Sequence, residues 1–194
     1  MNFLSHIYLS GDSEELMIGN YIADSVKGSA FNEFPDGIKK GIILHRAIDN
    51  YTDRHAIVEK SKERLRPKYR KYAGVIVDIY YDHFLAVNWK DYSGESLDNF
   101  TKRVYQLMKS RAHTFPLKSQ RFTYYMLEYD ILSAYAKMEG IHRVLQGMSG
   151  RAKFESNMEH AIHELREHYP LFEREFREFF PELQLFVNDK IINP

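Results

Sequence analysis

Histidine and acidic side chains fall at helical spacing along otherwise apolar stretches of this 194-residue sequence. His45 and Asp49 are four residues apart, and on a helix they share a face with Ile38 and Ile42. An apolar face packs against a protein core, so both polar side chains are expected to point inward together. An imidazole nitrogen and a carboxylate oxygen at this spacing can bind one divalent metal ion.

A second apolar stretch repeats this pattern. Asp78 and Asp82 lie on one helical ridge with Val75 and Leu85, and His83 lies beside them. Their neighbours are mostly Val, Ile, Tyr, Phe and Leu, which leaves the two carboxylates little water to face. An unpaired buried carboxylate is costly, so buried acids are normally paired or hold a metal ion.

A third helix adds Asp24, which shares a face with Met17 and Asn20, and Lys27 follows one turn later. The sequence has no Cys, which excludes thiolate ligands and favours a site of nitrogen and oxygen donors. The candidate metal ligands are Asp24, His45, Asp78, Asp82 and His83.

The alternative for these residues is a buried ion-pair network with basic partners from Lys27, Arg46 and Arg54. The acids outnumber the basic residues on the same helix faces, and this excess favours a metal site.

Helical spacing dominates the chain, and few segments alternate as half-buried strands do. The sequence therefore predicts an all-α, single-domain helical bundle over residues 1–194. One helix is expected to end before Pro67, and the tail after Pro181 is expected to be a short helix or arm. The central buried helix is expected to cover about Tyr69 to Trp89, because it is apolar on nearly every side.

The charge balance argues against nucleic acid as a partner, because the sequence has 27 basic and 27 acidic residues and therefore no net charge. No apolar stretch approaches the length of a membrane span and no signal peptide is visible, so we expect a cytoplasmic protein without a membrane partner. The stretch from Lys60 to Lys71 is strongly basic, and by itself it is typical of a solvated helix end.

Five sequence blocks resemble the acyl carrier protein phosphodiesterases, also called holo-acyl-carrier-protein hydrolases. The blocks are Asn2-Phe3-Leu4-Ser5-His6; Gly19-Asn20-Tyr21-Ile22-Ala23-Asp24 with Val26-Lys27-Gly28; Leu44-His45-Arg46-Ala47-Ile48-Asp49; Thr52-Asp53-Arg54-His55; and Asp82-His83-Phe84-Leu85-Ala86 followed by Trp89. They cover roughly the first half of the chain in the family's order, and they are more specific together than singly.

The resemblance implies a divergent HD-type helical fold, an HD-domain-like architecture with a divalent metal ion. That ion is typically Mn²⁺, with Mg²⁺ or Fe²⁺ as alternatives. The implied reaction hydrolyses holo-acyl carrier protein to the apo form and free 4′-phosphopantetheine, so the macromolecular partner is a small acidic protein.

The resemblance also suggests roles for individual residues. Asp24, His45, Asp78 and Asp82 would hold the metal ion, with His83 and Asp49 as further ligands or their neighbours. Lys27 and Arg46 would stabilise the negative charge on the phosphoryl oxygens. The candidates to protonate the departing serine oxygen are His55 and His6. The basic stretch would dock the carrier protein, chiefly through Lys62, Arg66 and Arg70.

Two alternatives share these sequence features. One is an HD-like phosphohydrolase acting on a nucleotide or another small phosphodiester, with the same metal site but a different docking surface. The other is a non-catalytic helical domain that binds a carrier protein and has a structural ion network. Metal analysis of the purified protein separates the second alternative from the two hydrolases.

Overall fold

Helices account for most of the chain. The computed structural model describes residues 1–192, and within that range it contains no β-strand, which confirms the all-α class. The helices are α1 (Phe3–Tyr8), α2 (Glu14–Ile22), α3 (Asp36–Arg54), α4 (Ala56–Tyr69), α5 (Ala73–Val87), α6 (Leu97–Arg111), α7 (Leu117–Glu128), α8 (Ile131–Ala134), α9 (Met138–Arg151), α10 (Ile162–Glu167) and α11 (Tyr169–Ile192). None of the helices in this range has the length and apolar character needed to cross a membrane.

Serine hydroxyls cap the starts of two helices. The Ser13 hydroxyl accepts a hydrogen bond from the Leu16 amide at 3.3 Å and so begins α2. Ser96 caps α6 in the same way, accepting from the Asn99 amide at 3.2 Å. The 3₁₀ turn that carries Asp24 ends at Ser25, because Val26 is extended, and Gly28 with a φ of 54° then turns the chain in a left-handed conformation.

Two prolines do not end helices as expected. Pro67 lies in the last turn of α4, and Pro181 lies inside α11, which continues unbroken to Ile192. A proline removes one backbone hydrogen bond and crowds the preceding turn, but burial of the flanking residues can offset that cost. Phe180 and Leu183 on either side of Pro181 are both fully buried, so packing maintains the helix there.

The core is centred on α5, which confirms the predicted central helix. Ile76, Tyr80, Tyr81 and Phe84 of this helix are fully buried. The Phe-rich face of α11 packs against it, and the ring of Phe176 meets that of Tyr81 at 5.6 Å in an edge-to-face arrangement. The C-terminal aromatic stretch is therefore part of the core.

Helices α2 and α3 approach each other more closely than side chains would permit. A Cβ atom on Gly41 would lie 2.4 Å from the Leu16 carbonyl oxygen and 2.8 Å from Gly19 Cα. A Cβ on Gly19 would lie 2.1 Å from the Ile38 carbonyl oxygen. The two glycines therefore allow this close crossing, which sets Asn20 of α2 against α3.

Gly41→Ala is expected to destabilise the protein by about 1–3 kcal/mol, because the new methyl group meets helix backbone that cannot move aside alone. The free energy of unfolding in urea measures this change. The matched control is Gly74→Ala in α5, where the nearest atom to a new Cβ is Lys62 Cδ, at an ordinary contact distance of 3.8 Å. The control should retain full stability, and equal losses in both variants would contradict the close crossing as the cause.

Candidate active site

Two histidines and an aspartate meet between α1 and α3. His6, His45 and Asp49 each offer one ligand atom, and these atoms all lie within 4.8 Å of one another. The distance from His6 Nε2 to Asp49 Oδ1 is 3.1 Å, and that from His45 Nε2 to Asp49 Oδ2 is also 3.1 Å. The two imidazole rings are stacked with their centroids 4.0 Å apart. This triad is a possible binding site for one divalent metal ion.

Asp24 adds a carboxylate on the solvent side of the triad. It lies in the short 3₁₀ turn that follows α2, and its Oδ1 is 3.4 Å from His45 Nε2. Its side chain is 67% exposed, whereas that of His45 is 10% exposed. The structure thus brings together Asp24, His45 and Asp49 as the sequence predicted, with His6 from the N-terminal block.

Asn20 contacts the ring of His45 and the backbone of His6. His45 Nδ1–H donates to Asn20 Oδ1 at 3.1 Å, which directs Nε2 toward the two carboxylates. The Asn20 amide nitrogen donates to the His6 carbonyl oxygen at 2.8 Å and to Ser10 Oγ at 3.0 Å. Asn20 was not among the site residues predicted from the sequence, although its position on the same helix face as Asp24 was a signal for such a role.

The charges in the triad are strongly coupled. Burial lowers the pKa of His45, but hydrogen bonds with Asp24 and Asp49 outweigh it and raise that pKa to about 9. Burial and the neighbouring His45 together lower the pKa of His6 to about 4. Burial acts to raise the pKa of Asp49, yet hydrogen bonds from the two histidines hold it well below its usual range. The centre therefore keeps an ionised carboxylate and a neutral His6, both suited to binding a cation.

A cavity of about 250 Å³ opens beside the triad. Its walls include all three triad residues as well as Asp24 and Asp78. A water molecule occupies roughly 30 Å³ in the liquid, so the cavity has room for a phosphate group and several waters. Two imidazole nitrogens and two carboxylates beside such a cavity are donors that suit a divalent cation, which would have to displace the proton that His45 holds at neutral pH.

Comparison with known proteins decides the family. A family model described as acyl carrier protein phosphodiesterase matches residues 1–183. This chain belongs to the acyl carrier protein phosphodiesterase family. The expected family and its enzyme class, a phosphodiesterase, are thereby confirmed.

Related acyl carrier protein phosphodiesterases match this chain over nearly its full length. A protein of Klebsiella pneumoniae named acyl carrier protein phosphodiesterase is 31% identical over 191 residues, covering 98% of this chain and 99% of its own. A protein of the same name from Yersinia enterocolitica is 30% identical over 193 residues, covering 99% and 100% of the two chains. No solved structure matches the chain, so the relationship to the HD fold stays a prediction.

Asp82 does not join the triad in this member of the family. It is fully buried and accepts hydrogen bonds from the backbone amides of Asn2 at 3.3 Å, Leu4 at 2.8 Å and Ser5 at 3.2 Å, and from the Ser5 hydroxyl. These are the unpaired amides at the start of α1, which a carboxylate satisfies well. Asp82 was expected to be a metal ligand. In the structure it instead anchors the helix that carries His6.

Asp78 also contacts the N-terminal segment but remains at the cavity wall. Its Oδ1 accepts a hydrogen bond from the amino group of Met1 at 2.9 Å. The same amino group lies 3.8 Å from Asp49 Oδ1. Burial raises the pKa of Asp78, although the positive amino group opposes that shift. Asp78 is thus close to the triad without belonging to the group of possible ligands.

His83 and His55 lie apart from the triad and have other partners. His83 Nδ1 donates to the Tyr135 carbonyl oxygen at 2.7 Å, and its Nε2 is 3.0 Å from the Tyr169 hydroxyl. His55 caps α4 through its Nδ1, and its Nε2 lies 3.2 Å from Glu182. Neither histidine lines the cavity, so the structure does not support His83 as a ligand or His55 as a proton donor.

Arg46 supports the loop that follows Asp24. It donates to the carbonyl oxygens of Val26 and Gly28, each at 3.1 Å, and its guanidinium lies 4.9 Å from the ring centroid of Phe31. Arg46 was expected to bind phosphate, but its contacts show that it positions the loop from Val26 to Gly28. Lys27, from the same loop, is exposed and pairs with no carboxylate in residues 1–192.

The basic stretch of α4 is largely neutralised. Lys62 is 11% exposed and lies 3.3 Å from Glu59, and Arg66 pairs with the same glutamate. Arg70 is exposed, with a φ of 49° at the end of the helix. Lys68 and Arg64 likewise pair with acids of later helices. Of the three expected docking residues, the structure leaves Arg70 alone without an ionic partner in its described part.

Proposed function

We propose that this chain hydrolyses the phosphodiester of holo-acyl carrier protein, giving apo-acyl carrier protein and free 4′-phosphopantetheine. The family membership and the name of its near full-length relatives support this substrate. The observation that carries the chemistry is the triad of His6, His45 and Asp49 beside an open cavity. A phosphodiester is anionic and repels hydroxide, so its hydrolysis benefits from a site that concentrates positive charge.

The proposed ligands are the triad residues and Asp24, which replaces the set first expected from the sequence. Asp82 and His83 are left out, because their hydrogen bonds are made to α1 and to two tyrosines. Mixed nitrogen and oxygen donors suit Mn²⁺ or Fe²⁺ better than Mg²⁺, and we propose Mn²⁺. When bound, the ion would neutralise phosphate charge and lower the pKa of a water.

The protein's own side chains prepare the site. Asn20 orients the ring of His45, so that its Nε2 faces the carboxylates. Asp24 stays ionised, because its hydrogen bond with His45 lowers its pKa despite partial burial. We propose that Lys27, three residues later and exposed, interacts with the phosphoryl oxygens.

Mass spectrometry of the carrier protein tests this function. The protein is incubated with holo-acyl carrier protein and Mn²⁺, and in parallel with a chelator. We expect conversion to the apo form with Mn²⁺ and none with the chelator. If holo-acyl carrier protein keeps its mass with Mn²⁺, Mg²⁺ and Fe²⁺ alike, the proposal is wrong.

A further inference from the structure

Helix α7 exposes a group of large apolar side chains. Leu117 is 71% exposed, Tyr124 64%, Tyr129 50% and Tyr125 37%. Isolated exposed apolar residues are ordinary, but here three lie on one twelve-residue helix and the fourth, Tyr129, follows it directly. Together they form a patch. Aromatic side chains, Tyr among them, are enriched at protein interfaces. The patch therefore resembles a surface that another protein covers.

The cations of this region have no acidic partners. Lys118 and Arg121 are exposed on α7, and Arg151 is exposed at the end of α9. No carboxylate pairs with any of the three in the described chain from residue 1 to 192. The cations of α4 differ, since Lys62 and Arg66 are paired with Glu59. Positive charge is thus available along α7 and at the end of α9, although the protein has no net charge.

The basic and aromatic surface leads into the candidate active site. A groove of about 720 Å³ runs between α7, α9 and the N-terminal segment, with Lys118, Arg121 and Arg151 among its lining residues. Asn2 and Asp24 line both this groove and the cavity of the triad. A molecule bound along α7 would therefore have a direct path to the triad.

We propose that the exposed face of α7, together with Arg151, is the docking surface for an acidic carrier protein whose phosphodiester then enters the cavity of the triad. This proposal rests on the proposed function for the identity of the partner. Charge complementarity favours an acidic surface here, and it would speed encounter and set the orientation of the partner. The exposed tyrosines would supply the apolar contact area at the centre of the interface.

Binding without turnover tests the surface. Holo-acyl carrier protein labelled at its N-terminus is titrated with the protein in a chelator at low ionic strength, and fluorescence anisotropy gives the Kd. We expect Lys118→Glu/Arg121→Glu to weaken binding by about tenfold or more, and to reduce the salt dependence of the Kd. Both residues are exposed, so the variant should keep the melting temperature of the unaltered protein.

The matched control is Arg66→Glu/Arg70→Glu, which makes the same charge change on the basic stretch of α4. We expect this control to alter the Kd by less than about twofold. An unaltered Kd in the α7 variant, an equal loss in both variants, or no binding by the unaltered protein would overturn the proposal. Because the chelator prevents hydrolysis, these outcomes are independent of the mass-spectrometric test of the function.

Discussion

Asp49→Asn is expected to abolish stoichiometric binding of the divalent metal ion and to lower kcat/KM by more than about 100-fold, the upper range for residues that merely orient ligands. Asp49 is the residue that both histidines of the triad contact, each at 3.1 Å. The amide keeps the size of the side chain but removes the negative charge that a divalent ion needs. Metal content after dialysis and conversion of holo-acyl carrier protein measure the two effects.

Asp53→Asn is the matched control for this change. Asp53 lies one turn further along the same helix and also lines the cavity, but its side chain is 76% exposed and lies outside the triad. We expect this variant to retain its metal ion and most of its activity. If Asp49→Asn also kept its metal ion and its activity, the triad would not be the metal site.

Asp82→Ala is expected to destabilise the metal-free protein by about 3–5 kcal/mol, because each buried donor that loses its acceptor costs roughly 1–3 kcal/mol. The change leaves three backbone amides and the Ser5 hydroxyl without their shared acceptor. For a chain of this length the melting temperature should fall by about 10 °C. Metal affinity should fall as well, since α1 carries His6.

A comparison with Asp49→Asn separates an anchor from a ligand. Asp49 is 43% exposed at its side chain, so its loss should change the melting temperature of the metal-free protein much less than the loss of Asp82 does. If Asp82→Ala instead lost the metal ion and kept the metal-free melting temperature, Asp82 would be a ligand, as the sequence first suggested. Calorimetry in a chelator provides the measurement.

The two acid pairs show what helical spacing can and cannot predict. His45 and Asp49 were identified correctly as neighbours, because both lie on one helix whose geometry is known in advance. Asp78 and Asp82 were also identified correctly as unusual for an apolar helix. Their partners, however, are backbone amides and an amino group of the N-terminal segment. Every residue has a backbone, so no pattern of side chains marks such a partner.

The docking surface illustrates a second limit. The basic stretch of α4 is visible in the sequence, but Glu164 and Glu175, which pair with Lys68 and Arg64, come about a hundred residues later. The sequence shows which residues are charged, but it does not show which of them form ion pairs in the fold. The surface of α7 has fewer cations, and within residues 1–192 no acid forms an ion pair with Lys118, Arg121 or Arg151.

The anchoring of α1 has a consequence for the newly made protein. This helix has only six residues, too few to be stable in water without packing. It is secured by Asp82, and 78 positions separate that residue from Leu4 along the chain. A nascent chain that has emerged from the ribosome only as far as α4 already contains His6, His45 and Asp49, but it cannot hold them together. The enzyme should therefore be inert while it is synthesised, and the proposed metal site should form only after α5 has docked.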